Sequence, residues 1–125
     1  MSAVSVGTAL VRVCDLARLT PDLGVAALFG DLQVAIFRLA NGEVYAVQNL
    51  DPFSGANVMS RGITGTRGSE PTIASPIYKQ VFSLVSGQCV VTMDRDPVVP
   101  GGPHLETFPI TLDNGQVYIN LAGYR

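Results

Sequence analysis

The chain has 125 residues, 47% of them hydrophobic and 14% charged, with a formal net charge of −2 at pH 7 and a sequence pI near 5.1. That length suits one domain, residues 1–125, with enough apolar sequence for a sizeable core. The acidic balance and singly scattered basic residues exclude the basic stripe that nucleic-acid binding needs, and no apolar run approaches the ~18 residues of a membrane-spanning helix.

The N-terminal stretch MSAVSVGTALVRV has no basic segment ahead of its apolar residues, so no secretory leader and a cytoplasmic location are expected. Thr20-Pro21 predicts a single helical turn, with Thr as the cap and Pro at the first helical position. No longer segment keeps a helical period. Instead, turn signals recur at Gly30-Asp31, Asn41-Gly42, Ser86-Gly87 and Asn114-Gly115, and short runs rich in Val, Ile, Leu, Phe and Tyr lie between them. Leu32–Leu39 and Val44–Gln48 bracket Asn41-Gly42 as a hairpin of the type I′ kind. The last hairpin alternates Ile110, Leu112, Val117, Ile119 and Leu121 on one face, against Thr111, Tyr118 and Asn120 on the other.

Two segments read as irregular: Asp51 to Glu70, rich in Gly and Ser, and Asp94 to Pro103, with three prolines. The first is long for a compact domain, which marks a functional or mobile loop. Gly62, Gly65 and Gly68 within it match neither a dinucleotide fingerprint nor a phosphate loop, and read as tight-turn glycines. The pattern predicts an all-β domain, an antiparallel sandwich or small barrel. The two cysteines, Cys14 and Cys89, lie far apart and in no paired motif, so they read as buried, reduced thiols.

The stretches NGEVYAVQNLDPFSGANV and ASPIYKQVFSLVSGQC carry a more specific signal, together with LETFPITLDNGQVYINL at the end of the chain. Their order resembles a Rieske domain, whose two metal-ligand loops, Cys-x-His and Cys-Pro-x-His, lie together at one tip. In that comparison Asn49 and Asp51 take the first pair of ligand positions, Ser75 and Tyr78 the second. The resemblance runs from about Val11 to Leu121. Within it, NLDPFSGANVMSRG and SPIYKQVF resemble the small subunit family of the assimilatory NAD(P)H-dependent nitrite reductases, Rieske-like domains without cluster ligands. A Rieske centre takes two Cys and two His, and this chain has two Cys and one His, His104. No metal, no cofactor and no catalytic residue are therefore expected in this chain. The resemblance implies an accessory role beside a large subunit that carries FAD, an iron–sulfur cluster and sirohaem and reduces nitrite to ammonium. The other reading is a degenerate Rieske-type β-domain that binds some other protein.

Weaker constellations were weighed against this. Ser75, His104 and Asp51 or Asp113 could be named a hydrolytic triad, but no nucleophile elbow surrounds Ser75. Cys14, Cys89 and His104 match no zinc spacing. For the four degenerate ligand positions two readings stand: a hydrogen-bonded network joining the loops, or ordinary turn residues. Around them, Leu50, Pro52, Phe53, Pro76, Ile77 and Tyr78 form a candidate partner-binding patch. Its alternative is that Phe53 and Ile77 fold back as core.

Overall fold

The computed structural model describes residues 10–122; the leader reading of the first residues falls largely outside them. Among the described residues eleven strands follow one another: β1 (Leu10–Asp15), β2 (Val25–Phe29), β3 (Leu32–Arg38), β4 (Val44–Gln48), β5 (Ile63–Arg67), β6 (Glu70–Ala74), β7 (Val81–Ser83), β8 (Cys89–Val91), β9 (Thr107–Phe108), β10 (Ile110–Asp113) and β11 (Gln116–Asn120). They form three antiparallel sheets ordered β1-β11-β10, β2-β3-β4-β9 and β5-β6-β7-β8, with no closed barrel. The all-β expectation holds, and the barrel alternative gives way to stacked open sheets.

β3 explains the layering. Successive side chains of a strand point to opposite faces, and here both faces are buried. Val34 and Ile36 join Leu19, Leu32, Ala46, Phe108, Val117 and Ile119 in one core, while Ala35 and Phe37 join Val47, Phe53, Met59, Ile73, Phe82, Leu84 and Leu105 in the other. The middle sheet thus feeds two cores at once, which is why LQVAIFR reads as an almost unbroken apolar run.

The turns refine the sequence reading. Asn114 and Gly115 both take positive φ between the paired residues Asp113 and Gln116, the type I′ pattern expected of Asn-Gly. At Asn41-Gly42 Gly42 takes positive φ but Asn41 does not; Leu39 pairs with Glu43 around a wider loop, so this hairpin carries a glycine bulge instead. Thr20-Pro21 starts no helix. The Leu23 N–H donates to the Thr20 carbonyl and Asp22 has a φ of 65°, so Pro21 and Asp22 form the centre of a β-turn. The short 3-10 turns lie at Leu16–Arg18 and Met59–Arg61. Of the apolar face read from the hairpin's alternation, Val117 and Ile119 are buried, while Leu112 near the tip is exposed.

The stretch read as one long loop from Asp51 to Glu70 contains the Met59–Arg61 turn and the whole of β5. With the sequence Ile-Thr-Gly-Thr-Arg, β5 has almost no apolar alternation; its partner β6 specifies it, residue by residue. Gly62 is required where this strand begins, because a Cβ there would lie 2.3 Å from the Ala74 carbonyl oxygen.

Candidate functional site: two loops joined by a buried carboxylate

The first loop leaves β4 at Asn49. Both ends of the Asn49 side chain are engaged: Nδ2 donates to Gln33 Oε1 (3.1 Å) and to the Asn57 carbonyl (3.2 Å), and Oδ1 accepts the Ser60 N–H at 2.7 Å. Its backbone N–H donates to the Gln33 carbonyl and its own carbonyl accepts the Met59 N–H. Asn49 therefore fastens the loop to β3 on one side and to the 3-10 turn on the other. Two residues on, the Asp51 side chain turns inward and is completely buried. The loop closes around it, since the Asp51 N–H donates to the Ala56 carbonyl and the Gly55 N–H to the Asp51 carbonyl, both at 2.8 Å.

The second loop leaves β6 at Ser75, which is also buried. The Ser75 hydroxyl donates to Asp51 Oδ2 at 2.7 Å, the direct bond between the two loops. Asp51 also accepts the Phe53 N–H on Oδ1 and the Ser54 hydroxyl on Oδ2, each at 2.9 Å. Ser75 in turn accepts the Ile77 N–H on its hydroxyl (3.2 Å) and donates its own N–H to the Gln80 carbonyl (2.9 Å). A buried carboxylate is costly unless its lone pairs are used, and here they are used to tie one loop to the other. Of the two readings left open by the sequence, the geometry selects the network for Asp51 and Ser75, while Asn49 braces the first loop to β3 and to the 3-10 turn.

Tyr78 is outside that network. The Arg95 guanidinium lies over its ring, 3.7 Å from the ring centre, a cation–π stack. Three residues further, the Val98 N–H donates to the Pro52 carbonyl at 2.8 Å. The irregular Asp94–Pro103 segment is thus a strap, held to the second loop by Arg95 and to the first by Val98. The prolines mark the segment in the sequence, but the contacts of Arg95 and Val98 leave no local pattern there.

The proposed patch changes accordingly. Phe53 is 2% exposed and packs in the core with its ring centre 6.1 Å from that of Phe82. Pro52 is buried too, under the strap. Both leave the list of surface residues, since the Asp51–Phe53 bond turns the first loop inward. Ile77 stays on the surface at 42% exposure between the half-buried Pro76 and Tyr78; on the first loop Leu50 is half-buried, and Val98 of the strap is 66% exposed.

The donor set at the loops does not fit a [2Fe–2S] centre. Asn, Asp, Ser and Tyr stand there, with no thiolate or imidazole, and Asp51 is already saturated by hydrogen bonds. Cys14 and Cys89 pack beside different cores, and burial is the main cause that pushes both thiols up from their ordinary range. His104 Nδ1 accepts the Cys89 N–H at 3.0 Å, while the Ser75 hydroxyl is spent on Asp51, so no hydrolytic triad assembles. Among the described residues no group of three or more His, Cys, Asp or Glu is placed to hold a metal.

A three-sheet β-domain with two joined loops at one tip is the architecture of the Rieske class, and residues 9–120 match the Rieske-like [2Fe-2S] domain. The nitrite reductase (NADH) small subunit of Escherichia coli K12 is 43% identical over 79 residues, covering 62% of this chain and 73% of that protein. The crystal structure of an NADH-dependent nitrite reductase small subunit from Mycobacterium tuberculosis is 42% identical, with a TM-score of 0.77 over 90% of this chain and 95% of that one. The chain belongs to the family of nitrite reductase small subunits with a Rieske-like domain. A third relative differs in kind: the nitrite reductase [NAD(P)H] large subunit of Klebsiella oxytoca is 38% identical over 86% of this chain, a match that spans 10% of the large subunit.

Proposed function

We propose that the chain is the accessory subunit of a cytoplasmic NAD(P)H-dependent nitrite reductase, without a catalytic centre of its own. The observation that carries this reading is the Klebsiella large subunit, in which a stretch similar to 86% of this chain is part of the same polypeptide. Two units that occur joined in one protein are suited to associate when made separately. The partner is then the large subunit, which holds FAD, an iron–sulfur cluster and sirohaem and passes electrons from NAD(P)H to nitrite. The loop chemistry supports the division of labour, because the tip here is built from hydrogen bonds and its ligand positions offer neither thiolate nor imidazole.

The contact we assign to this partner is the tip around Ile77, with Pro76, Leu50, Tyr78 and Val98 beside it. An exposed aliphatic side chain on loops that are rigidly braced loses little entropy on docking. Ile77→Asp is expected to leave the melting temperature near wild type and to weaken binding of the purified large subunit by about tenfold or more. Phe53→Ala serves as the contrasting case. It empties a core site, so it should cost ~3–5 kcal/mol of stability in the isolated chain. Failure of the wild-type chain to bind the large subunit overturns the partnership, and normal binding by Ile77→Asp overturns the assignment of the tip.

A further inference from the structure

We infer that the free edge of β5 is a strand-docking site that takes an extended, acid-bearing segment of the large subunit as an additional strand. This rests on the partnership proposed above and adds a second, separate contact to it.

β5 ends its sheet, pairing with β6 and with no other strand among the described residues. The backbone polarity of that edge follows from Pro71. Pro71 has no N–H, and its carbonyl accepts the Leu84 N–H on the β7 side. Antiparallel pairs alternate between bonded and non-bonded. Thr66 lies opposite Pro71, and Thr64 two residues before it; both therefore turn their N–H and C=O groups away from β6, toward the open edge. Edge strands are usually blunted by a lysine, a proline or a bulge. Here Ile-Thr-Gly-Thr-Arg has neither proline nor bulge, its one charge is Arg67 at the far end, and its register with β6 runs without a break. Of the other edge strands, β1 and β8 have irregular registers while β2 and β10 are as regular as β5, so the groove and the charges beside β5 are what set it apart.

A groove of about 740 Å³ runs along this edge, and Gly62 through Thr66 line it in unbroken succession, as a strand does when it presents its edge. Leu23, at the entry to β2, forms part of the opposite wall. Leu23 and Ile63, two large aliphatic side chains that line this one groove, are 61% and 70% exposed. An added strand supplies backbone partners for Thr64 and Thr66 and covers both side chains, the mode of β-augmentation. Charge selects the occupant. Arg61 precedes the strand and Arg67 ends it, and neither makes an ion pair among the described residues. The groove's own acid, Asp22, already accepts the Thr64 hydroxyl at 3.1 Å. The segment that fits is extended and aliphatic, with carboxylates placed toward Arg61 and Arg67. The large subunit is taken as its source because it is the partner proposed above, on the ground of the joined Klebsiella protein.

The test uses the full chain and the purified, cofactor-loaded large subunit. Thr66→Pro removes an outward N–H without touching a bond to β6, and Arg61→Glu reverses the charge at the strand's entry. Each should weaken the complex by about tenfold or more with a near-normal melting temperature. Should Thr66→Pro fail to fold, Arg61→Glu and amide exchange of the wild-type chain still decide. In the complex, exchange at Thr64 and Thr66 should slow together. Unchanged exchange at both, with Arg61→Glu binding as wild type, overturns the site while leaving the partnership intact. Absence of any wild-type complex overturns the partnership and this proposal with it. Slowed exchange in the chain alone at high concentration, abolished by Thr66→Pro, would make the occupant a second copy and overturn the choice of the large subunit.

Discussion

Asp51 sits where solvent cannot reach it, and its hydrogen-bond partners are one amide and two hydroxyls, with no cation among them. Three donors replace the water that burial removed, so the side chain works as a latch whose loss leaves all three unpaired. Asp51→Ala is expected to cost about 3 kcal/mol or more, which lowers the melting temperature by roughly 10 °C in a domain of this size. Ser75→Ala should cost less, and the double variant less than the two combined, because both changes break the same bond. A set of thermal or urea unfolding curves checks the non-additivity; simple additivity would mean that the two loops are not joined through this pair. The thiols make a second residue-scale case. Burial raises both above the unfolded value, near 9.0, so the folded state favours their neutral forms. Their contribution is fully present below that value and is lost as pH rises through the folded values, since the unfolded chain ionises first. Cys89→Ala should therefore lose less stability than wild type between pH 8 and pH 10 (about two units around the thiol range), measured by melting at each pH.

At the scale of elements, the strap decides what the tip exposes. It crosses the first loop closely enough that Gly102 has no room for a side chain: a Cβ would lie 2.8 Å from Pro97 Cβ and 2.9 Å from Pro52 Cβ. Gly102→Ala should lift the strap and speed amide exchange at Val98, whose N–H is bonded to Pro52. Exchange at the buried strand β3 should stay slow. If Val98 is unaffected, the strap yields elsewhere and Pro52 keeps its cover. Arg95 adds less to this closure, because an exposed cation–π stack is worth only ~0.5–1 kcal/mol. The strap also explains why a proline-rich stretch can be irregular and yet ordered: its bonds go to loops, not to a ladder.

For the molecule as a whole, hydrogen bonds do at the tip what metal ligands do in other Rieske-like domains. The isolated protein is expected to be colourless and free of stoichiometric iron and sulfide, as measured by visible absorbance and metal analysis. Iron bound in a fixed ratio, lost on Asp51→Ala, would contradict the hydrogen-bonded account of the loops. An accessory role suits such a domain, whose three sheets pack around two cores; the contacts proposed for it lie at the tip and at the open edge of β5.

Much of this was legible in the chain. Alternating apolar residues and Asn-Gly turns specified the antiparallel hairpins, because side-chain period and turn conformation are local properties. The count of Cys and His alone argues against a Rieske centre, and the order of the two loop stretches carries the family resemblance. Other features depended on partners distant in sequence. β5 became a strand because β6 pairs with it, though its own residues scarcely favour one. Phe53 became core because Asp51 pulled the loop inward, where hydrophobicity alone equally allowed an exposed anchor. The strap's hold on both loops rests on Arg95 and Val98, whose contacts no spacing announces. Local chemistry set which groups had to be satisfied; only the tertiary structure decided which distant groups satisfied them, because burial and hydrogen bonding are settled between segments brought together by the fold.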